Sequence, residues 1–318
     1  MAKTYIGVNG VAKKLVRAYL GVNGVAKKIR KVYIGDANGV ARLGWTIIEA
    51  GQIVFTSSTT WTAPFTGTIE VFCVGGGSAG TGSYRDTIEY SGGETERVWR
   101  CGGGGGGGYT KTATLQITEG ETFNVIIGAG GTLGTSNPTG AQNLTYNVRG
   151  GYSAFGDIKA AAASYDYRDR SEDFTTTMAG ILGLYAATHG GSGGGRGYLV
   201  YDESTGHSAT NGGSDGSGGQ GTTTRAFGDP NGTLYSGGGG GGNQSYPTST
   251  YVTTPTSGGA GGGGNGGGYI GSGTDPVSGT ANTGGGAGGY GYNSSVNASI
   301  SSSIRGGTGV VIIRWSDQ

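Results

Sequence analysis

Histidine, cysteine, methionine and proline are nearly missing from this 318-residue chain, which carries two His, two Cys, two Met and six Pro. His189 and His207 each lie beside glycine, and no Cys/His spacing of a zinc site exists, so a metal centre is not expected. Two cysteines cannot staple a disulfide scaffold. So few prolines, with no Gly-X-Y period, exclude a collagen-type triple helix. Charged residues make up only 13%, too few for repulsion to hold the chain open, and aromatics at 9% are too many for a solvating linker. No apolar stretch approaches the ~18 residues of a spanning helix, and the N-terminus has no apolar signal stretch. Synthesis in a cytoplasm without membrane insertion is therefore expected. No Gly-Lys-Ser/Thr follows any glycine run, so no phosphate-cradling loop is indicated. The acid pairs Asp202/Glu203 and Glu172/Asp173 are adjacent residues in polar segments, a poor start for glycoside hydrolysis. The chain reads as a non-enzyme without a cofactor.

What it has is glycine: 76 residues, gathered in runs such as Gly102–Gly108 and Gly237–Gly242. Such runs form neither ordinary core strands nor helices, and ordering them carries a high entropic cost. They are either linker or close-packed extended backbone. Apolar strand-like segments bracket them at both ends, which favours packing. Repeated runs of similar length suit a stack of polyproline-II-like glycine helices. These have no internal hydrogen bonds and, lacking side chains, approach closely enough to bond to each other. If the runs after Cys73 and Cys101 lie antiparallel, the two thiols sit roughly 20 Å apart, too far to bridge.

The chain divides into three segments. Residues 1–45 hold a repeat. Tyr5-Ile6-Gly7-Val8-Asn9-Gly10-Val11-Ala12-Lys13-Lys14 returns from Tyr19 to Lys28, and again, with one extra residue before its Asn-Gly, from Tyr33 to Arg42. Each Asn-Gly between β-branched residues is a two-residue hairpin signal. The spacing predicts a β-meander with turns at Asn9-Gly10, Asn23-Gly24 and Asn38-Gly39, too small to bury a useful core alone. It carries nine Lys or Arg against the single acid Asp36, a net +8, and the rest of the chain is −7. A basic head on an acidic body implies different partners.

Residues 46–160 mix strands with the first glycine runs. Ile69, Val71 and Cys73 alternate with Glu70, Phe72 and Val74. A hairpin is expected between the alternating rows Ala113-Leu115-Ile117 and Phe123-Val125-Ile127, turning at Glu119-Gly120. Residues 161–318 are glycine runs separated by Tyr/Ser/Thr/Asn-rich segments, closed by the buried-type strand Val310–Trp315. That strand is expected to pin the last glycine run against the early strands. The fold class is thus all-β plus polyglycine-II: repeat hairpins, then a β-sandwich-like glycine-rich domain with stacked glycine helices.

Trp61-Thr62-Ala63-Pro64 followed by Val71–Gly77 resembles the opening of the glycine-rich domains of bacteriophage tail proteins. Gly102–Lys111, Gly120–Phe123, Ile127–Gly131, Gly150–Gly156 and Gly306–Trp315 are similar to that domain's further motifs, in order. The Tyr-Ile-Gly-Val-Asn-Gly-Val-Ala repeat resembles a segment at the front of tail proteins from phages of Gram-positive hosts. The polyglycine-sandwich adhesins of T-even-type phages are a looser likeness, in which loops between glycine helices bind the host surface. The resemblance implies a virion component of the tail tip, fibre or baseplate. It would be a receptor-binding protein presenting loops to a bacterial surface glycan, or else a purely structural component that binds only other virion proteins. It also implies a homo-oligomer, with a trimer expected because tail fibres are commonly three-fold.

Candidate binding residues are aromatics and arginines, which supply rigid contact area and forked donors. Tyr165, Tyr167, Arg168 and Arg170 make the richest segment. Tyr84, Arg85 and Trp99 make a second, Tyr198, Tyr201 and Asp202 a third, and Tyr246 and Tyr251 a fourth. All four read equally as solvated loops with local ion pairs. In an up-down stack the last three would share one end and the first would lie at the other. Tyr5, Tyr19 and Tyr33 with Lys13, Lys14, Lys27 and Lys28 are candidates for anchoring the head to other tail proteins. Those lysines also serve as edge-strand charges against aggregation, and without interleaved aromatics or a nucleic-acid fold signature no nucleic acid is expected.

Overall fold

The computed structural model describes residues 5–8, 11–14, 18–22, 25–29, 31–35, 41–46, 48–82, 84–89, 92–132, 150–163, 190–201, 205–243, 255–268, 275–291 and 304–317. In the head, strands flank each Asn-Gly pair. β1 (Tyr5–Val8) pairs with β2 (Val11–Lys14), β3 (Ala18–Val22) with β4 (Val25–Ile29), and β5 (Lys31–Gly35) with β6 (Ala41–Thr46), all antiparallel. Val8 stands opposite Val11 and Val22 opposite Val25, which leaves two residues for each of these turns. The meander is not continuous, however. Among the described residues the three hairpins are separate two-stranded sheets. The Asn-Gly turns fix pairing within a repeat, and nothing comparable specifies pairing between repeats.

The body is built around β9 (Gly67–Val74) and β18 (Val310–Trp315). They are the central strands of an antiparallel sheet whose edges are β12 (Thr110–Ile117) and β7 (Gly51–Phe55). The C-terminal strand thus lies between two early strands, as its apolar run predicts. A second antiparallel sheet, in the order β15 (Ile158–Ala160), β14 (Ser153–Phe155), β13 (Thr122–Ile126) and β8 (Thr59–Thr62), packs on the first. Between them lie Ile69, Val71, Cys73, Val311 and Ile313 from one sheet and Val125, Phe155 and Ala160 from the other, all buried. Phe155 sits 4.9 Å from Phe123 and 5.7 Å from Trp61, ring centre to ring centre. Full burial of a side chain of this size stabilises by about 1.5–3 kcal/mol.

The opposite face of β9 and β18 is buried too. Phe72, Val74, Val310 and Ile312 pack against Ala226, Phe227 and Tyr235 of the segment 222–235. Burial on both faces explains the uninterrupted apolar stretches Val71–Val74 of β9 and Val310–Ile313 of β18.

The hairpin expected across Glu119-Gly120 does not form. β12 pairs with β9, whereas β13 pairs with β8 and β14, so the chain crosses from one sheet to the other at this turn. The turn is tied to Ala63 at the matching crossing. Gly120 N donates to Ala63 O, and Ala63 N donates to Glu121 O. Glu121 Oε2 accepts from Thr118 N at 2.9 Å. The alternation marks both strands and the turn correctly. Side-chain alternation alone does not say whether two consecutive rows lie side by side or face to face.

Above the sandwich the glycine runs form a lattice. In the run Cys101–Tyr109, Cys101, Gly104 and Gly107 donate their amides to Tyr198, Gly195 and Ser192. Gly102, Gly105 and Gly108 donate to Tyr290, Ala287 and Gly284. The carbonyls of Gly103, Gly106 and Tyr109 accept from Thr81, Ser78 and Gly75. Each neighbour is met at every third residue, which is the period of a three-residue-per-turn helix with no internal bonds. The run Ser236–Asn243 is more enclosed still. Its amides at 237, 240 and 243 reach Gly261, Gly264 and Gly267, those at 238 and 241 reach Gly213 and Thr210, and those at 239 and 242 reach Gly105 and Gly102. Its carbonyls accept from Gly195, Tyr198, Gly259, Gly286 and Gly289. The lattice thereby pairs the buried backbone groups that no sheet supplies. It also dictates the composition: a Cβ on Gly239 would fall 1.9 Å from the Ala287 carbonyl oxygen, and one on Gly104 2.1 Å from that of Gly239. The runs 75–82 and 101–109 are antiparallel, which places Cys73 and Cys101 at opposite ends. The two are not bridged to each other, and both are buried.

Candidate functional site

The lattice has two unlike ends, distinguished by its hydrogen bonds. At one end Gly75 N donates to Tyr109 O, Gly108 N to Gly284 O and Ser236 N to Thr283 O, and the chain passes directly into β9, β12 and β18. At the other end a single rung links the run termini. Cys101 N donates to Tyr198 O at 2.9 Å, Tyr198 N to Gly242 O at 3.0 Å, Gly242 N to Gly102 O at 2.7 Å, and Gly102 N to Tyr290 O at 2.7 Å. Tyr290 N continues to Thr81 O at 3.1 Å, and Asn243 N reaches Gly267 O at 2.8 Å beside them. Thr81, Tyr198, Asn243, Gly268 and Gly291 are thus five run ends on the side away from the sandwich.

Side chains finish this rung where glycine does not. Thr81 Oγ1 accepts from Gly103 N at 2.7 Å, and Thr256 Oγ1 donates to the Gly241 carbonyl. Tyr290 is buried, and burial together with the Asp275 carboxylate pushes its phenol up to about 12. It stays neutral at physiological pH and keeps its proton.

Beyond Thr81 and Tyr198 the chain forms strands rather than loops. β10 (Tyr84–Glu89) and β11 (Thr95–Arg100) form a hairpin, and β11 pairs in turn with β16 (Leu199–Tyr201), which pairs with β17 (Thr205–His207). The result is one four-stranded antiparallel sheet at the tip. Its register puts Tyr84 opposite Arg100, Arg85 opposite Trp99, Trp99 opposite Val200, and Val98 opposite Tyr201. The second and third candidate segments, 115 residues apart from Tyr84 to Leu199, are thus brought onto one sheet. The loop reading of 84–100 gives way to strands. Thr87, Ile88, Thr95, Val98 and Trp99 favour extended backbone, and Gly92-Gly93 supplies the turn, with Gly93 at φ 82°. That signal is present in the sequence, obscured by the charged residues between. Arg97 and Arg100, neighbours of Trp99 in the same candidate segment, belong to the same sheet.

Tyr198 lies at the rung itself. Asp202, Tyr246 and Tyr251, and the whole segment Tyr165, Tyr167, Arg168 and Arg170, fall outside the described residues. The points where the chain leaves and re-enters around 164–189 are described. Ala163 N donates to Gly76 O and Gly191 N to Gly107 O, both at the sandwich end. In the head, Tyr5 pairs with Lys14, Ile6 with Lys13, Tyr19 with Lys28 and Leu20 with Lys27, so two repeats present the same register, while Tyr33 pairs with Leu43.

Among the described residues no group of three His, Cys, Asp or Glu side chains could hold a metal ion, and no helix is long and apolar enough to cross a membrane. Asp215, an acid with a shifted carboxyl, lies at the sandwich end. Its carboxyl is held below the usual range by the Thr223 hydroxyl first, then by the Thr224 amide and Arg225. It braces the covering segment rather than facing the tip: Thr224 N donates to it at 3.2 Å, and Arg225 Nε stands 3.5 Å away.

A family model described as a glycine-rich domain matches residues 54–316, which is the sandwich and lattice without the repeat head. No curated protein and no solved structure matches the chain.

Proposed function

The chain belongs to the glycine-rich domain family, and we propose that it is a non-enzymatic attachment protein of a bacteriophage tail. In this proposal residues 1–45 bind other tail or baseplate proteins, or sister subunits in a trimer, and the tip of the lattice meets a glycan on the bacterial surface. Its place is the virion.

The observation that carries the proposal is that five run ends and the four-stranded tip sheet lie together at the end of the lattice away from the sandwich. A lattice whose amides are tied to neighbouring runs loses little entropy when its tip engages a ligand. Chain segments projecting from such a frame vary in sequence without disturbing it, because the lattice bonds are backbone to backbone. Many copies on one virion would turn weak single contacts into avid attachment.

The experiment is binding of fluorescently labelled protein to cells of the host bacterium, for the full chain and for residues 46–318, each first shown to unfold cooperatively. Retention by the shorter protein supports attachment through the body. Folded protein that binds no cells in either form rejects it and leaves a structural tail component.

A further inference from the structure

We propose that one face of the tip sheet is a platform for an acidic polysaccharide of the uronic-acid class. This deepens the attachment proposal above and rests on it. In a strand, successive residues fall on alternate faces, and residues directly opposite across an antiparallel pair share a face. The register therefore sorts β10, β11 and β16 into two sets. One holds Arg85, Trp99 and Val200 in a single cross-strand row, then Thr87 with Arg97, then Glu89 with Thr95 at the far end of the hairpin. The other holds Tyr84, Arg100 and Leu199, then Asp86, Val98 and Tyr201, then Ile88 with Glu96.

Charge is segregated by this sorting. The first face joins two arginines and a tryptophan, and among the described residues its one acid, Glu89, is at the far end. The second has one arginine against two acids. An indole offers a flat apolar surface to a pyranose ring, and a guanidinium binds a carboxylate through two parallel bonds. Arg85 occupies the position directly across from Trp99, so both groups can be used by one sugar that carries its acid on the stacked ring. Arg97 follows about 7 Å along the strand, at two residues of rise, in position for the acid of the next sugar. A polyol-phosphate polymer would offer charge without a ring for Trp99, so the uronate is favoured.

The test uses the full chain and two tetrasaccharides, galacturonic acid and its methyl ester, which differ only in charge. The expected result is binding of the acid at least about tenfold tighter than the ester, weakening with salt as ion pairing is screened. Arg85→Gln and Arg97→Gln, checked for unchanged melting, should each weaken it severalfold, and Trp99→Leu should do the same. Arg100→Gln and Ile88→Val on the other face should leave it unchanged. Equal binding of acid and ester, or equal losses from both faces, overturns the proposal. A protein that attaches to host cells but not to the tetrasaccharide overturns the uronate assignment and leaves attachment standing. One that attaches to neither removes both.

Discussion

The guanidinium carbon of Arg314 lies 3.9 Å from the centre of the Phe227 ring. Phe227 has a φ of 59°, a left-handed conformation that a bulky residue seldom adopts, and its ring is 5.6 Å from that of Phe72. Arg314 is also held by Glu70, Nε to Oε2 at 2.7 Å. The last strand of the chain thus grips the segment that covers the outer face of the central sheet. Phe227, only partly buried, should on truncation to Ala cost about 0.5–3 kcal/mol in a chemical denaturation measurement, the range of most single substitutions. Arg314→Ala should cost about 0.5–1 kcal/mol. The double variant should lose less than the two single losses together, by about 0.5 kcal/mol, because the pair is in contact. Strict additivity would show that the stacking contributes nothing.

The lattice predicts a sharp difference between glycines of the same chain. In Gly239→Ala the new Cβ would lie 1.9 Å from a backbone oxygen of the neighbouring run, which no side-chain rotation relieves. The cost should exceed about 4 kcal/mol, seen as loss of soluble protein or of a cooperative thermal transition. Gly92 lies exposed in the tip hairpin, and a methyl group added there would meet nothing within 4 Å, so Gly92→Ala should melt within about a degree of the parent. Equal tolerance at both sites would contradict close-packed glycine helices.

Burial raises the Cys73 thiol from 9.0 to about 12. The folded state therefore holds this proton more tightly than the unfolded chain does. Stability from this group is complete below pH 9 and is lost as pH rises from 9 towards 12. Tyr290, raised from 10.0 to about 12, acts in the same direction over the upper part of that window. Denaturation midpoints should fall across it, and Cys73→Ala should flatten the lower part of the fall. Both cysteines should resist iodoacetamide in the native protein at pH 8 and react once it is unfolded.

Much of this fold is legible residue by residue. The alternation of β9 announces a strand, the apolar run of β18 a buried one, and the Asn-Gly pairs announce hairpins. The glycine runs announce their own packing, because only a residue without Cβ survives beside Ala287 O or Gly239 O. Pairing between distant segments is not legible. A glycine helix has no side chains to record which neighbour it bonds to, so the partnership of 101–109 with 190–198, 236–243 and 284–291 leaves no pattern. The tip sheet is hidden for a related reason: β16 is three residues long and its partner β11 lies about a hundred positions earlier. Phe227 gave no signal at all, since a lone aromatic in a Thr/Gly-rich segment does not reveal what it covers.

The same hydrogen bonds that hold the lattice also bear on the chemical lifetime of the chain. An Asn-Gly pair decays when the glycine amide nitrogen attacks the asparagine carboxamide carbon, expelling ammonia and leaving a succinimide that water opens to aspartate or isoaspartate. The attack requires the amide to leave its hydrogen bond and rotate toward the side chain. Gly212 N is held by Ser257 O at 2.9 Å, Gly232 N by Asp229 O at 2.8 Å and Gly266 N by Thr256 O at 2.9 Å. The Asn211 and Asn265 side-chain oxygens each accept a further backbone amide, from Ser257 and Gly258, both at 2.9 Å. Asn211 and Asn265 are thus fixed at both reacting groups, whereas Asn231, whose own amide donates to Asp229 Oδ1 at 3.0 Å, is fixed through the backbone. On prolonged incubation at pH 8 and 37 °C, peptide mass spectrometry should find Asn211 and Asn265 intact, Asn231 converted slowly, and all three converted at similar rates in urea-unfolded protein. Conversion of Asn211 in the folded chain as fast as in the unfolded one would mean that this part of the lattice opens freely.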